Sequence, residues 1–141
     1  MTSGQMTSGD EAPAAVCEAT PAYGLAERTA VFGERVLAFA RGIGITSVTG
    51  VLVRQLVRSG TSVGANYLEA DDADTRKDFI YRIGVCRREA RETRYWLRML
   101  ASVGSEDADE ITILANEALE LTRIFAAIKR SALANKSSTG H

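Results

Sequence analysis

A chain of 141 residues with 45% hydrophobic and 25% charged residues has room for one domain with its own core and is too apolar to stay disordered throughout. Seventeen basic against eighteen acidic residues give a formal net charge of −1. That balance excludes a general attraction to polyanions and confines any nucleic-acid site to a local patch.

Residues 1–22 repeat Met-Thr-Ser-Gly and continue through Asp10, Glu11, Pro13 and Pro21, a composition that buries little surface and reads as a flexible leader. It has neither a basic n-region nor a continuous apolar h-region, and no later run is long enough to span a bilayer, so no membrane partner and a cytoplasmic location are expected. Residues 135–141 are equally core-poor and are expected to form a flexible tail. The folded part is therefore placed at 23–134.

The first helix is expected over about 24–42, because Leu25, Thr29, Phe32, Val36, Phe39 and Ile43 recur at alternating spacings of four and three. Gly42 and Gly44 break it, and Thr46 or Ser47 is placed to cap the next helix. The second helix, about 47–70, carries Val48, Leu52, Gln55, Ser59, Ser62, Asn66 and Glu69 along one seam that begins apolar and turns polar. Gly60 and Gly64 each lower its helix propensity by roughly 1 kcal/mol relative to alanine, which predicts close packing against another helix.

The acidic run Asp71-Asp72-Ala73-Asp74 makes the next turn. A third helix, about 75–103, follows on a seam of Phe79, Ile83, Cys86, Ala90, Thr93, Leu97 and Leu100. Gly104 ends it, and Ser105 or Asp107 caps a fourth helix whose seam runs from Ile111 through Leu114, Ala118, Leu121, Phe125 and Ile128 to Ala132. Four amphipathic helices joined by short turns predict an all-α, antiparallel up-down-up-down four-helix bundle.

Bundles of this kind often hold di-iron centres, but those need Glu-x-x-His pairs, and the single histidine is His141. Cys17 and Cys86 are the only cysteines, too few for a disulfide framework or a thiolate zinc site. No phosphate-binding glycine loop follows a predicted strand. No catalytic residue, metal ligand or cofactor is assigned.

Two polar constellations remain. Gln55, Arg58, Ser59, Ser62, Asn66 and Glu69, together with Glu89, Glu92 and Thr93, are expected to meet between the second and third helices as a buried polar network that fixes helix register, with arginine neutralising carboxylates. An enzyme using the Glu69, Glu89 and Asn66 neighbourhood is the competing reading. The other constellation is Arg87, Arg91, Arg94 and Arg98, a row with Tyr95 beside it and no acidic residue three or four positions from any of the four. Such a row needs anions from another helix, another subunit or a ligand, and arginines beside an aromatic suit the phosphates and bases of a nucleic acid. Arg88, by contrast, is spaced to pair with Glu92.

The run Arg54–Ala70, followed by Lys77-Asp78-Phe79-Ile80 and by Glu89–Leu97, resembles the bacterial four-helix bundle family named after intervening sequences in 23S ribosomal RNA genes. The resemblance implies an all-α bundle that assembles as a homopentamer. It also implies kinship with accessory proteins of diversity-generating retroelements, which bind a reverse transcriptase and nucleic acid, and it implies no enzymatic activity. The expected function is a non-catalytic oligomeric bundle binding a macromolecular partner, either RNA or DNA or an enzyme that processes them. A purely structural homo-oligomer is the alternative. In that alternative the row meets acidic residues of the fourth helix, Glu106, Asp107, Asp109, Glu110, Glu117 and Glu120, across a subunit boundary.

Overall fold

The computed structural model describes residues 24–104 and 107–139. Four helices fill this span: α1 (Leu25–Arg41), α2 (Thr49–Asp71), α3 (Arg76–Ser102) and α4 (Ala108–Thr139). No strand occurs among the described residues. The helices follow one another round the bundle, α1 on α2, α2 on α3, α3 on α4, with a thinner contact closing α4 back onto α1.

Each helix end is set by local chemistry. Thr46 Oγ1 accepts hydrogen bonds from the Val48 and Thr49 N–H groups at the start of α2, and Thr75 and Asp107 accept from the third N–H that follows them, on Asp78 and Glu110. These bonds satisfy donors that the first helical turn leaves unpaired. Gly104 takes a positive φ of 82° just past α3, where a residue without Cβ turns the chain with little strain. The helical backbone of α4 runs on to Thr139, into the segment 135–141 expected as a tail. The expected leader and Cys17 lie outside the described residues.

Most of the core lies on the seams read from the periodicity, except in α2, where Val48 is 55% exposed and Leu52 only partly buried and the core is instead Leu56 and Val63 on the adjacent line. Leu25, Phe32 and Val36 of α1, Leu56 and Val63 of α2, Ile83, Cys86, Ala90, Leu97 and Leu100 of α3, and Leu114, Ala118, Leu121 and Phe125 of α4 are all almost wholly buried. Two of the three glycines of α2, Gly60 and Gly64, face α1 at close range. A Cβ on Gly60 would come within 2.9 Å of Val36, and one on Gly64 within 3.2 Å of the Thr29 hydroxyl. Their absent side chains are what lets the two backbones approach, as the low helix propensity of this stretch required.

The thin α1–α4 seam is closed by charge. Arg28 donates through Nε and Nη2 to the two carboxylate oxygens of Glu117 at 2.7 and 2.9 Å, and Arg35 does the same to Glu110 at 2.7 and 3.1 Å. Both are two-pronged guanidinium–carboxylate pairs, the geometry that favours arginine over lysine. Glu110 and Glu117 are thus engaged within the chain.

Candidate polyanion-binding face

The polar seam between α2 and α3 divides into three parts. Ser59 and Thr93 alone are fully buried: Ser59 donates to the Leu56 carbonyl, and the single Thr93 hydroxyl proton has both Ser59 Oγ, at 2.9 Å, and the Glu89 carbonyl within reach. Toward one end, Asn66 donates to the Ser62 carbonyl and hydroxyl and accepts from Arg82 at 3.0 Å. Toward the other end, Arg58 bridges Gln55, Glu89 and Glu92, and the Trp96 indole N–H donates to Glu92 at 3.0 Å.

Three expectations are corrected here. Arg58 and Glu69 are exposed rather than buried, and Glu69 stands outside the network. The seam was read at one residue per three and a half, whereas a straight helix turns every 3.6 residues, so the stripe drifts by about 20° per heptad and has rotated to solvent by Glu69. Gln55, Ser62, Asn66, Glu89 and Glu92 lie at intermediate depth, at the edge of the α2–α3 groove. Glu92 is taken by Arg58 and Trp96 rather than by Arg88. Arg82, which joins the network through Asn66, carries no seam signal because its partner lies on another helix.

The arginine row keeps the character read from its spacing. Arg91, Arg94 and Arg98 are exposed and Arg87 is half-buried. None of the four makes an ion pair among the described residues. Tyr95 is 51% exposed and stands edge-on to Trp96, ring centres 5.0 Å apart. Trp96 is itself held by Glu92, so the aromatic beside the row rests on a fixed neighbour.

What flanks the row is set by the register of α3 against α4. A Cβ on Gly84 would come within 3.0 Å of Lys129 Nζ, so Lys129 lies across α3 at Gly84. The helices are antiparallel, and each step up α3 matches a step down α4. Arg87, Arg91, Arg94 and Arg98 therefore stand level with Ala126, Thr122, Leu119 and Ala115. That strip of α4 is small, neutral and half-buried. Arg123 and Arg130, both exposed and two turns apart, continue it outward.

Of the acidic side chains of α4, Glu110 and Glu117 turn to α1 while Asp109 and Glu120 are exposed, and Asp107, just before the helix, serves its cap. A nearly neutral molecule thereby acquires one face of a single sign. Sequence reading found its α3 half and missed the α4 half, because Arg123, Lys129 and Arg130 look like the usual cations near a helix C-terminus.

Catalytic chemistry has little to build on among the described residues. No three His, Cys, Asp or Glu side chains converge in a set that could hold a metal ion. Cys86 is buried, and burial pushes its thiol up to about 12, which removes the thiolate needed for nucleophilic attack. No helix of the described residues is long and apolar enough to cross a membrane.

Comparison with known proteins agrees with this architecture. No curated protein matches the chain. Its fold is similar to the crystal structure of a protein of unknown function from the S23 ribosomal protein family of Bacteroides thetaiotaomicron, with a TM-score of 0.70 and 27% identity over 77% of this chain and 97% of that one. The model of the 23S rRNA-intervening sequence protein family matches residues 45–127, from the turn before α2 to the middle of α4. This range holds the polar seam, the arginine row and most of the neutral strip beside it, and the chain belongs to the 23S rRNA-intervening sequence protein family.

Proposed function

We propose that the protein is a non-catalytic, oligomeric binding bundle whose α3–α4 face takes the phosphate backbone of a nucleic acid. The observation that carries this reading is the row Arg87, Arg91, Arg94 and Arg98, which receives no anion from the described residues of its own chain and borders a neutral strip of α4. Four guanidinium groups over twelve residues of helix extend about 16 Å, the length of a short stretch of phosphates. The helix that carries the row is held in place by packing against both α2 and α4. Tyr95 beside it offers a ring for a base.

A homo-oligomer interface is the second reading, favoured by a specific observation: Asp109 and Glu120 of α4 are exposed acids that another copy would present to the row. The two readings separate in one experiment. Replacing all four arginines by glutamine abolishes RNA and DNA binding while leaving the mass in solution unchanged if the row serves nucleic acid. A fall in mass instead assigns the row to a subunit interface.

A further inference from the structure

The arginine stripe of α3 stops at a glycine. Below Arg98, Arg94, Arg91 and Arg87 the next position on the stripe is Gly84, and the one after it, Ile80, is buried. The space that Gly84 leaves is bordered by cations from two helices. A Cβ there would lie 3.0 Å from Lys129 Nζ of α4 and 3.8 Å from Nη1 of Arg88, one turn along α3. Neither cation makes an ion pair among the described residues, and Glu92, the acid spaced to meet Arg88, is held by Arg58 and Trp96. No aspartate or glutamate occurs over 79–88 of α3 or 121–139 of α4. Two positive groups this close repel each other unless an anion lies between them.

We infer that this notch seats the terminal phosphate of a nucleic-acid strand, an assignment that rests on the reading of the α3–α4 face as a nucleic-acid site. Along the row each guanidinium suits the single negative charge of an internal phosphodiester. At Gly84 two cations converge on one space, which suits a group of higher charge, and a phosphomonoester carries about −1.5 to −2 at neutral pH on three acceptor oxygens. The planar fork of Arg88 matches two of those oxygens, and the Lys129 ammonium meets the third as a point charge. A side chain at position 84 would stand where the anion sits, so glycine keeps the notch open. The notch also closes the row at one end, where the end of a bound strand comes to rest.

The test uses the full-length protein and one single-stranded RNA, labelled on an internal nucleotide and carrying hydroxyls at both ends, a 5′-phosphate or a 3′-phosphate, with binding followed by fluorescence anisotropy. A strand phosphorylated at one of its ends is expected to bind at least about tenfold tighter than the hydroxyl-ended strand, the least that a charge-assisted hydrogen bond contributes. That ratio is expected to fall to near one in Arg88→Gln and in Lys129→Gln, and to survive in Arg98→Gln at the far end of the row. Equal affinities of phosphorylated and hydroxyl-ended strands for the unmodified protein, or a ratio that neither notch substitution changes, overturn the seat and leave the row standing. Failure of all three strands to bind overturns both. A nucleoside 5′-monophosphate that binds as tightly as the phosphorylated strand also overturns the strand end, and names a free phosphomonoester as the ligand.

Discussion

Thr93 of α3 and Ser59 of α2 join hydroxyls 2.9 Å apart at a point where neither side chain is exposed. They form the one fully buried polar link between the two helices that carry most of the family match. Ser59 donates to the Leu56 carbonyl and accepts from Thr93, whose proton is shared between Ser59 and the Glu89 carbonyl, so the pair is satisfied without water. Replacing Thr93 by Val keeps the shape and strips Ser59 of its cross-helix partner. The expected loss is about 1–2 kcal/mol, read by chemical denaturation. The double variant Ser59→Ala, Thr93→Val loses less than the sum of the single changes, because it leaves no hydroxyl stranded. Strict additivity would show that the bond contributes nothing to helix pairing.

Gly60 tests how tightly α1 and α2 approach. Alanine there gains roughly 1 kcal/mol of helix propensity, but its Cβ would stand 2.9 Å from Val36 Cγ1, with all three nearest atoms belonging to that one fully buried side chain. Overpacking of this kind costs about 1–3 kcal/mol, and the balance favours destabilisation. Gly60→Ala is expected to lower Tm, and Val36→Ala combined with it to restore part of the loss. A Gly60→Ala protein more stable than the original would contradict the close approach.

How much of this was legible in the sequence depends on where the partner of each residue lies. The buried seams of α1, α3 and α4 follow from periodicity alone, because burial repeats with the helix turn, whereas in α2 the polar line was taken for the buried one and the core runs beside it through Leu56 and Val63. The Gly60 and Gly64 approach was legible for a similar reason, as two weak helix formers in a buried helix need a neighbour that gains from their absent side chains. The ties of Arg28 to Glu117 and Arg35 to Glu110 were not, since partners separated by 89 and 75 residues leave no local pattern. Glu69 was misplaced by treating a drifting stripe as a straight one. For the arginine row, sequence supplied the lack of local acids, and only the Gly84–Lys129 register showed that α4 offers none either.

Cys86 makes stability depend on alkaline pH. Its ordinary value of 9.0 is raised to about 12, chiefly because burial disfavours the thiolate. The folded state therefore holds a proton that the unfolded chain releases first. Its contribution is full below about pH 9 and is lost as pH rises from there toward 12, at up to about 1.4 kcal/mol per pH unit. Tyr67, also raised by burial, adds a loss of the same sign at higher pH. In denaturation curves between pH 8 and 11, Cys86→Ala is expected to be less stable at pH 8 and to show a flatter decline above pH 9. An unchanged slope would mean that the thiol ionises freely in the folded protein.

The central claim is that the α3–α4 face holds phosphates through Arg87, Arg91, Arg94 and Arg98. It is tested most directly by the salt dependence of single-stranded RNA binding, followed by fluorescence anisotropy. Each phosphate neutralised contributes about −0.7 to the slope of log K against log salt, so four arginines give about −3. Single Arg→Gln changes should each reduce that slope by about 0.7, and the quadruple variant should bind no RNA while keeping its mass in solution. RNA binding with the same slope after all four substitutions, or no RNA binding by the unmodified protein at low salt, would contradict the account.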